Sequence, residues 1–164
     1  MYRCCLLFCF LFAAAVAPAQ EPSITELLRL ANAGEAGAQN EVGAYYSAVG
    51  GKKNLQTAIS WLTKSAEQGN ALGACNLGYH YGEGRGVKKS LLLMVMWVSI
   101  GETLDPLRCA SERAVKLKPT DCDQEFGWFK AVIWLKAHPT LKNNFKQQPW
   151  LNDPDPEVSS KCHN

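Results

Sequence analysis

NALGACNLGYHYGEGRGVKKSLLLMVMW, residues 70–97, decides the fold. It opens with small residues and carries Leu77 and Gly78 one helical turn before Tyr81. The glycine-punctuated run 82–86 follows, and then a second apolar segment that reaches Trp97. The same design stands upstream. At an offset of 35 residues, Ala36 falls on Ala71, Val42 on Leu77, Gly43 on Gly78 and Tyr46 on Tyr81. Leu27, Ala31 and Gly34 fall on Leu62, Ala66 and Gly69 at the same offset, and Trp61 falls on Trp97 after one inserted residue. Repetition at this period marks a repeat architecture in which each unit is one supersecondary element.

The apolar spacing inside each unit is helical. Ala38, Val42 and Tyr46 step by four, and Ala58, Trp61, Leu62, Ser65 and Ala66 step by three and four. Gly43 and Gly78 sit mid-helix, which costs about 1 kcal/mol against alanine and fits helices that approach closely. Gly34, Gly50-Gly51, Gly69 and the run 82–86 are breakers between segments. The pattern predicts helices near 23–33, 36–48, 54–68, 71–82 and 88–103. Asp105-Pro106 is expected to open a sixth helix, and Pro119-Thr120 a seventh running to about Lys136. Helix pairs with one uncovered apolar face must stack. The expected fold is therefore all-α, a short right-handed α/α solenoid spanning 20–137, with an irregular C-terminal extension over 138–164.

Residues 70–97 resemble the Sel1-like repeat, as does TAISWLTKSAEQGN, residues 57–70. Leu77, Gly78, Tyr81, Gly84, Gly86 and Val87 match that family's first helix and Gly-x-Gly-Val turn. Trp61, Ala66 and Gly69 match its second helix. The turn of the first unit, residues 47–53, departs from the pattern. The resemblance implies a TPR-like helical scaffold for protein–protein contact, often in bacterial envelopes, and no particular substrate. A cysteine-rich branch of the family pairs a cysteine of the first helix with one of the second and is associated with binding β-lactam compounds. Here Cys75 falls in a first helix, but the expected second helix, 88–103, has no cysteine, so that activity is not carried over.

The first residues are of another kind. Arg3 precedes an apolar run from Cys4 to Val16, and Ala17-Pro18-Ala19 leads to polar Gln20 and Glu21. This is read as a secretory signal peptide over 1–19, too short an apolar run for a membrane span, so no stable span is expected after cleavage. Cleavage would remove Cys4, Cys5 and Cys9 and leave Cys75, Cys109, Cys122 and Cys162. In an oxidising compartment these four are expected to form one or two disulfides, with all three pairings open. Zinc is not expected, because there is no Cys-x-x-Cys pair. A net charge of +2 gives no nucleic-acid footprint.

No motif for catalysis or cofactor binding emerges. GEGRGVKKS, residues 82–90, lacks the preceding strand and the Gly-Lys-Ser/Thr ending of a phosphate loop. Asp121, Asp123 and Glu125 read as charges at a helix start. His80 is read as a surface residue, since no nucleophile is evident beside it. Tyr46, Tyr81, Trp61 and Trp97 occupy repeat-defining core positions. Glu41, Tyr45, Asn76, Tyr79, His80, Glu83 and Arg85 fall off that stripe on first helices or their turns, and form the expected protein-contact surface. The expectation is thus a non-enzymatic exported scaffold or regulator without cofactor, periplasmic or secreted, with another protein as partner. Its sharper form is an immunity protein against a toxic effector. The competing readings are binding or hydrolysis of cell-wall or β-lactam compounds, and a secreted effector that binds host proteins.

Overall fold

The computed structural model describes residues 23–109, 117–138 and 140. The expected leader, Cys162 and nearly all of the expected C-terminal extension lie outside the described residues. Among the described residues the regular elements are all helices: α1 (Ile24–Asn32), α2 (Ala36–Val49), α3 (Lys52–Glu67), α4 (Ala71–Glu83), α5 (Leu91–Leu104) and α6 (Asp121–Ala137).

Their starts follow from local chemistry. The hydroxyl of Ser23 accepts from Glu26 N–H, Asn70 Oδ1 from Gly73 N–H at 2.8 Å, and Ser90 Oγ from Leu93 N–H at 3.2 Å. Each satisfies one amide that the first turn leaves without a partner. Thr120 forms a full capping box with Asp123: its hydroxyl accepts from the Asp123 amide at 3.0 Å and Asp123 Oδ2 accepts from the Thr120 amide at 3.0 Å.

Three boundaries depart from expectation. The helix expected from 88 begins at Leu91, because the Ser90 amide is held by Tyr81 O at 2.9 Å and its side chain caps the helix. The helix expected from 54 begins two residues earlier; Asn54 does not cap it but donates from Nδ2 to Gly50 O at 2.8 Å. After Asp105-Pro106 the chain first makes a turn over 106–108, where Asp105 Oδ1 accepts from the amides of Leu107 and Arg108; most of the expected sixth helix, 110–116, lies outside the described residues, and Leu117 beyond it is helical.

Each helix packs on the next in chain order from α1 to α5, α6 packs on α5, and α2 also packs on α4. The contact between α2 and α4 joins the first helices of successive units, as in a solenoid. The core falls into clusters: Ala31, Ala38 and Val42 bury between α1 and α2, and Leu62, Ala74, Leu77, Ile100 and Leu135 bury across α3 to α6. Of the four repeat-defining aromatics only Trp97 is buried. Tyr46, Trp61 and Tyr81 are half-buried and pack against these clusters.

The mid-helix glycines mark close approach. A Cβ on Gly78 would lie 2.9 Å from Val98 Cγ2 and 3.0 Å from Met94 O, and one on Gly43 would lie 2.7 Å from Leu62 Cγ. Each first helix therefore touches its second helix nearly backbone to side chain. Gly86, at φ +78°, holds the turn after α4 against Leu55 of α3, where a Cβ would fall 2.8 Å from the Leu55 Cβ.

A disulfide joins Cys75, midway along α4, to Cys109, five residues past the last residue of α5; their Cα atoms are 5.9 Å apart. Of the three open pairings this excludes the two that separate Cys75 from Cys109. Cys122 at the start of α6 is also disulfide-bonded.

Candidate functional site

The C-terminal turns of α2 and α4 meet the turn after α4 and leave a recess of ≈ 260 Å³. Ala44, Ser47 and Ala48 form one wall; Asn76, Tyr79, His80, Glu83 and Arg85 form the other. Five of the seven expected contact residues are thus brought to one place. Glu41 and Tyr45 do not line it. Both are exposed on α2, and the Tyr45 ring meets Tyr46 edge-on at 5.5 Å.

The recess is held by a closed ring of hydrogen bonds. His80 Nδ1 lies 2.8 Å from Arg85 O and Nε2 lies 2.7 Å from Ser47 Oγ. A carbonyl only accepts, so this network assigns the ring proton to Nδ1, which donates to Arg85 O. Nε2 then accepts from the Ser47 hydroxyl. Arg85 closes the ring, donating from Nη2 to Ser47 O at 3.0 Å. That carbonyl belongs to the last turn of α2, where no helical amide remains to satisfy it. Glu83 Oε2 lies 3.8 Å from Arg85 Nη1, a partly exposed pair of small energetic weight. One wall is tied further by Asn76, which donates from Nδ2 to Asn40 Oδ1 at 2.9 Å.

His80 is therefore not the surface residue expected of it. It is 5% exposed and enclosed by α2 and the turn after α4. Burial pulls its pKa below the ordinary value. The hydrogen bond to the Arg85 carbonyl opposes this, the Arg85 guanidinium reinforces it, and the Glu83 carboxylate opposes it. Arg85 and Asn76 are half-buried, and Glu83 is exposed at the mouth.

Sequence reasoning missed Ser47. It stands 33 residues from His80, on the first helix of the preceding unit, and no local motif links the two. The stacking of first helices was the available signal, because it places the end of α2 beside α4. Among the described residues no three His, Cys, Asp or Glu side chains are grouped to hold a metal ion, and no helix is long and apolar enough to cross a membrane. The Gly84–Gly86 turn follows helix α4 and packs against α3, so its glycines answer to repeat packing.

Stacked helix pairs with first helices adjacent define an α/α repeat solenoid. Residues 36–70 and 71–93 match the model of the Sel1 repeat, so this part of the chain carries Sel1-like repeats. The first match covers α2, α3 and the following turn, and the second covers α4 and the start of α5. No curated protein matches the chain, and no solved structure does. Sel1 repeats form scaffolds for protein–protein interaction and are typically non-enzymatic.

Proposed function

We propose that this chain is an exported scaffold that binds a partner protein in the periplasm through the recess between α2 and α4. The observation that carries the reading is the convergence of Asn76, Tyr79, His80, Glu83 and Arg85 on one concavity. A concave, partly polar surface with an aromatic ring and an arginine supplies the anchors that protein interfaces favour. Tyr45, 45% exposed beside it on α2, extends the contact face. The Cys75–Cys109 disulfide supports an oxidising compartment, which agrees with reading the first residues as a secretory leader.

The test is capture of partners from extract of the source cells by the oxidised protein, in parallel with Tyr45→Ala and Glu83→Ala variants. Both side chains are exposed, so their loss leaves the core intact. A stoichiometric partner held by the wild type and weakened about tenfold or more by either variant fits the reading, as expected for an interface anchor. A partner held equally by all three proteins removes the face from the proposal. The sharper role, an immunity protein, requires that co-expression protect cells from a periplasm-directed effector whose product binds this face. Fractionation separates periplasmic retention from secretion toward host proteins.

A further inference from the structure

The recess holds more than contact residues. Ser47 Oγ, His80 Nε2 and Arg85 O lie in series, with the hydroxyl 2.7 Å from Nε2 and Nδ1 2.8 Å from the carbonyl. These are the distances that a nucleophile, a general base and the group that orients the base require. We propose that Ser47 and His80 form an acyl-transfer dyad that opens to the recess and hydrolyses small activated esters.

Three features support the assignment beyond the distances. The tautomer is the productive one, with the lone pair of Nε2 directed at the hydroxyl and the proton of Nδ1 committed to a fixed carbonyl. Ser47 is half-buried and lines a cavity of ≈ 260 Å³, large enough for an acyl group of a few carbons. The Arg85 guanidinium lies in the same wall, with Nη2 3.0 Å from Ser47 O. It brings a cationic donor to the same recess, and it offsets the negative end of the α2 dipole.

The chemistry balances with water as the only co-reactant. Ser47 Oγ bonds to the acyl carbon while His80 Nε2 takes its proton. The ester C–O bond then breaks, and Nε2–H returns that proton to the departing alcohol. Water attacks the acyl-serine with His80 again as base, which releases the carboxylic acid and restores the hydroxyl. A neutral carbonyl stands where a full triad has a carboxylate. It stabilises the imidazolium less, so turnover is expected to be slow.

The experiment treats the full chain, disulfides oxidised, with a fluorophosphonate probe and maps the adduct by peptide mass spectrometry. A p-nitrophenyl acetate assay runs alongside. Expected are a single adduct on Ser47, its loss in Ser47→Ala, and a fall in labelling rate of about 100-fold in His80→Gln, the usual scale of base assistance. The fall should appear while the circular dichroism of the variant stays helical. No adduct on Ser47 of the wild type, whatever the variants do, overturns the proposal. So does an adduct that forms equally fast in folded His80→Gln. Neither result bears on partner capture, which is read separately.

Discussion

Cys75 and Cys109 tie the middle of α4 to the chain just beyond α5, closing a loop between positions 34 residues apart. The bond lies in a buried cluster with Met94 and Val98, and a Cβ on Gly101 would fall against Cys75 Sγ and 2.9 Å from Cys109 Sγ. Gly101 is thus the gap through which the two cysteines reach each other. A cross-link over a loop of this length removes chain entropy from the unfolded state equivalent to about 4 kcal/mol. The paired substitution Cys75→Ala/Cys109→Ala should lower the unfolding free energy by roughly that amount in urea titrations. A loss well under 1 kcal/mol would mean that packing at Met94 and Val98 alone fixes this end of the solenoid.

Glycines in α2 and α4 should respond oppositely to the same change. At Gly78 a methyl group meets Val98 Cγ2 at 2.9 Å and the Met94 carbonyl at 3.0 Å, and backbone cannot swing aside. Gly78→Ala is expected to destabilise by about 1–3 kcal/mol through overpacking. Gly37, in the first turn of α2, has nothing within 4 Å of the added methyl. Gly37→Ala should therefore stabilise by about 0.5–1 kcal/mol by reducing the freedom of the unfolded chain. Thermal unfolding of the two variants checks both signs.

The solenoid was legible because its determinants are periodic. Gly43 and Gly78 repeat where second helices pass close by, and that registration survives as pattern. The site was only half legible for a related reason. Arg85, Glu83 and Asn76 could be placed on first helices or turns by register, and they do line one recess. The burial of His80 could not be read that way. It depends on Ser47 and the Arg85 carbonyl closing over the ring, contacts between units with no sequence period. At Asp105-Pro106 the proline does not open a helix directly, because Asp105 accepts from the amides of Leu107 and Arg108 and holds 106–108 in a local turn.

The start of α6 rests on Thr120. Its hydroxyl accepts the Asp123 amide at 3.0 Å and also donates to Asp123 Oδ2 at 2.7 Å, while that carboxylate accepts the Thr120 amide. Thr120→Ala removes both hydrogen bonds of the hydroxyl, leaves the backbone amide of residue 120 bonded to Asp123, and should cost about 1 kcal/mol. Because α6 packs on α5 through Gly127 against Val95, the loss should show as faster amide exchange at the start of α6 before the rest of the solenoid. Uniform exchange across all helices would place α6 in the same cooperative unit as the repeats.

Stability should also depend on pH through His80. Its folded pKa is depressed, chiefly by burial, whereas the unfolded chain takes up the proton near the ordinary value of about 6.5. Between those two values the unfolded state binds more protons, so stability rises with pH across that window. The contribution is fully present above about pH 6.5 and is lost as pH falls through the folded pKa. The groups facing the ring set how steep this is: the Arg85 guanidinium resists the incoming proton and the Glu83 carboxylate favours it. His138, stacked on Trp134 at 3.9 Å, is a second described histidine, so the effect is read against a variant changed at His80 alone. The difference between wild type and His80→Gln isolates the buried ring. Urea midpoints from about pH 8 down to about pH 5 should converge as the wild type loses the His80 contribution and the variant does not. A constant gap would mean that the imidazole reaches solvent in the folded protein, and the closed ring through Ser47 and Arg85 would have to open in solution.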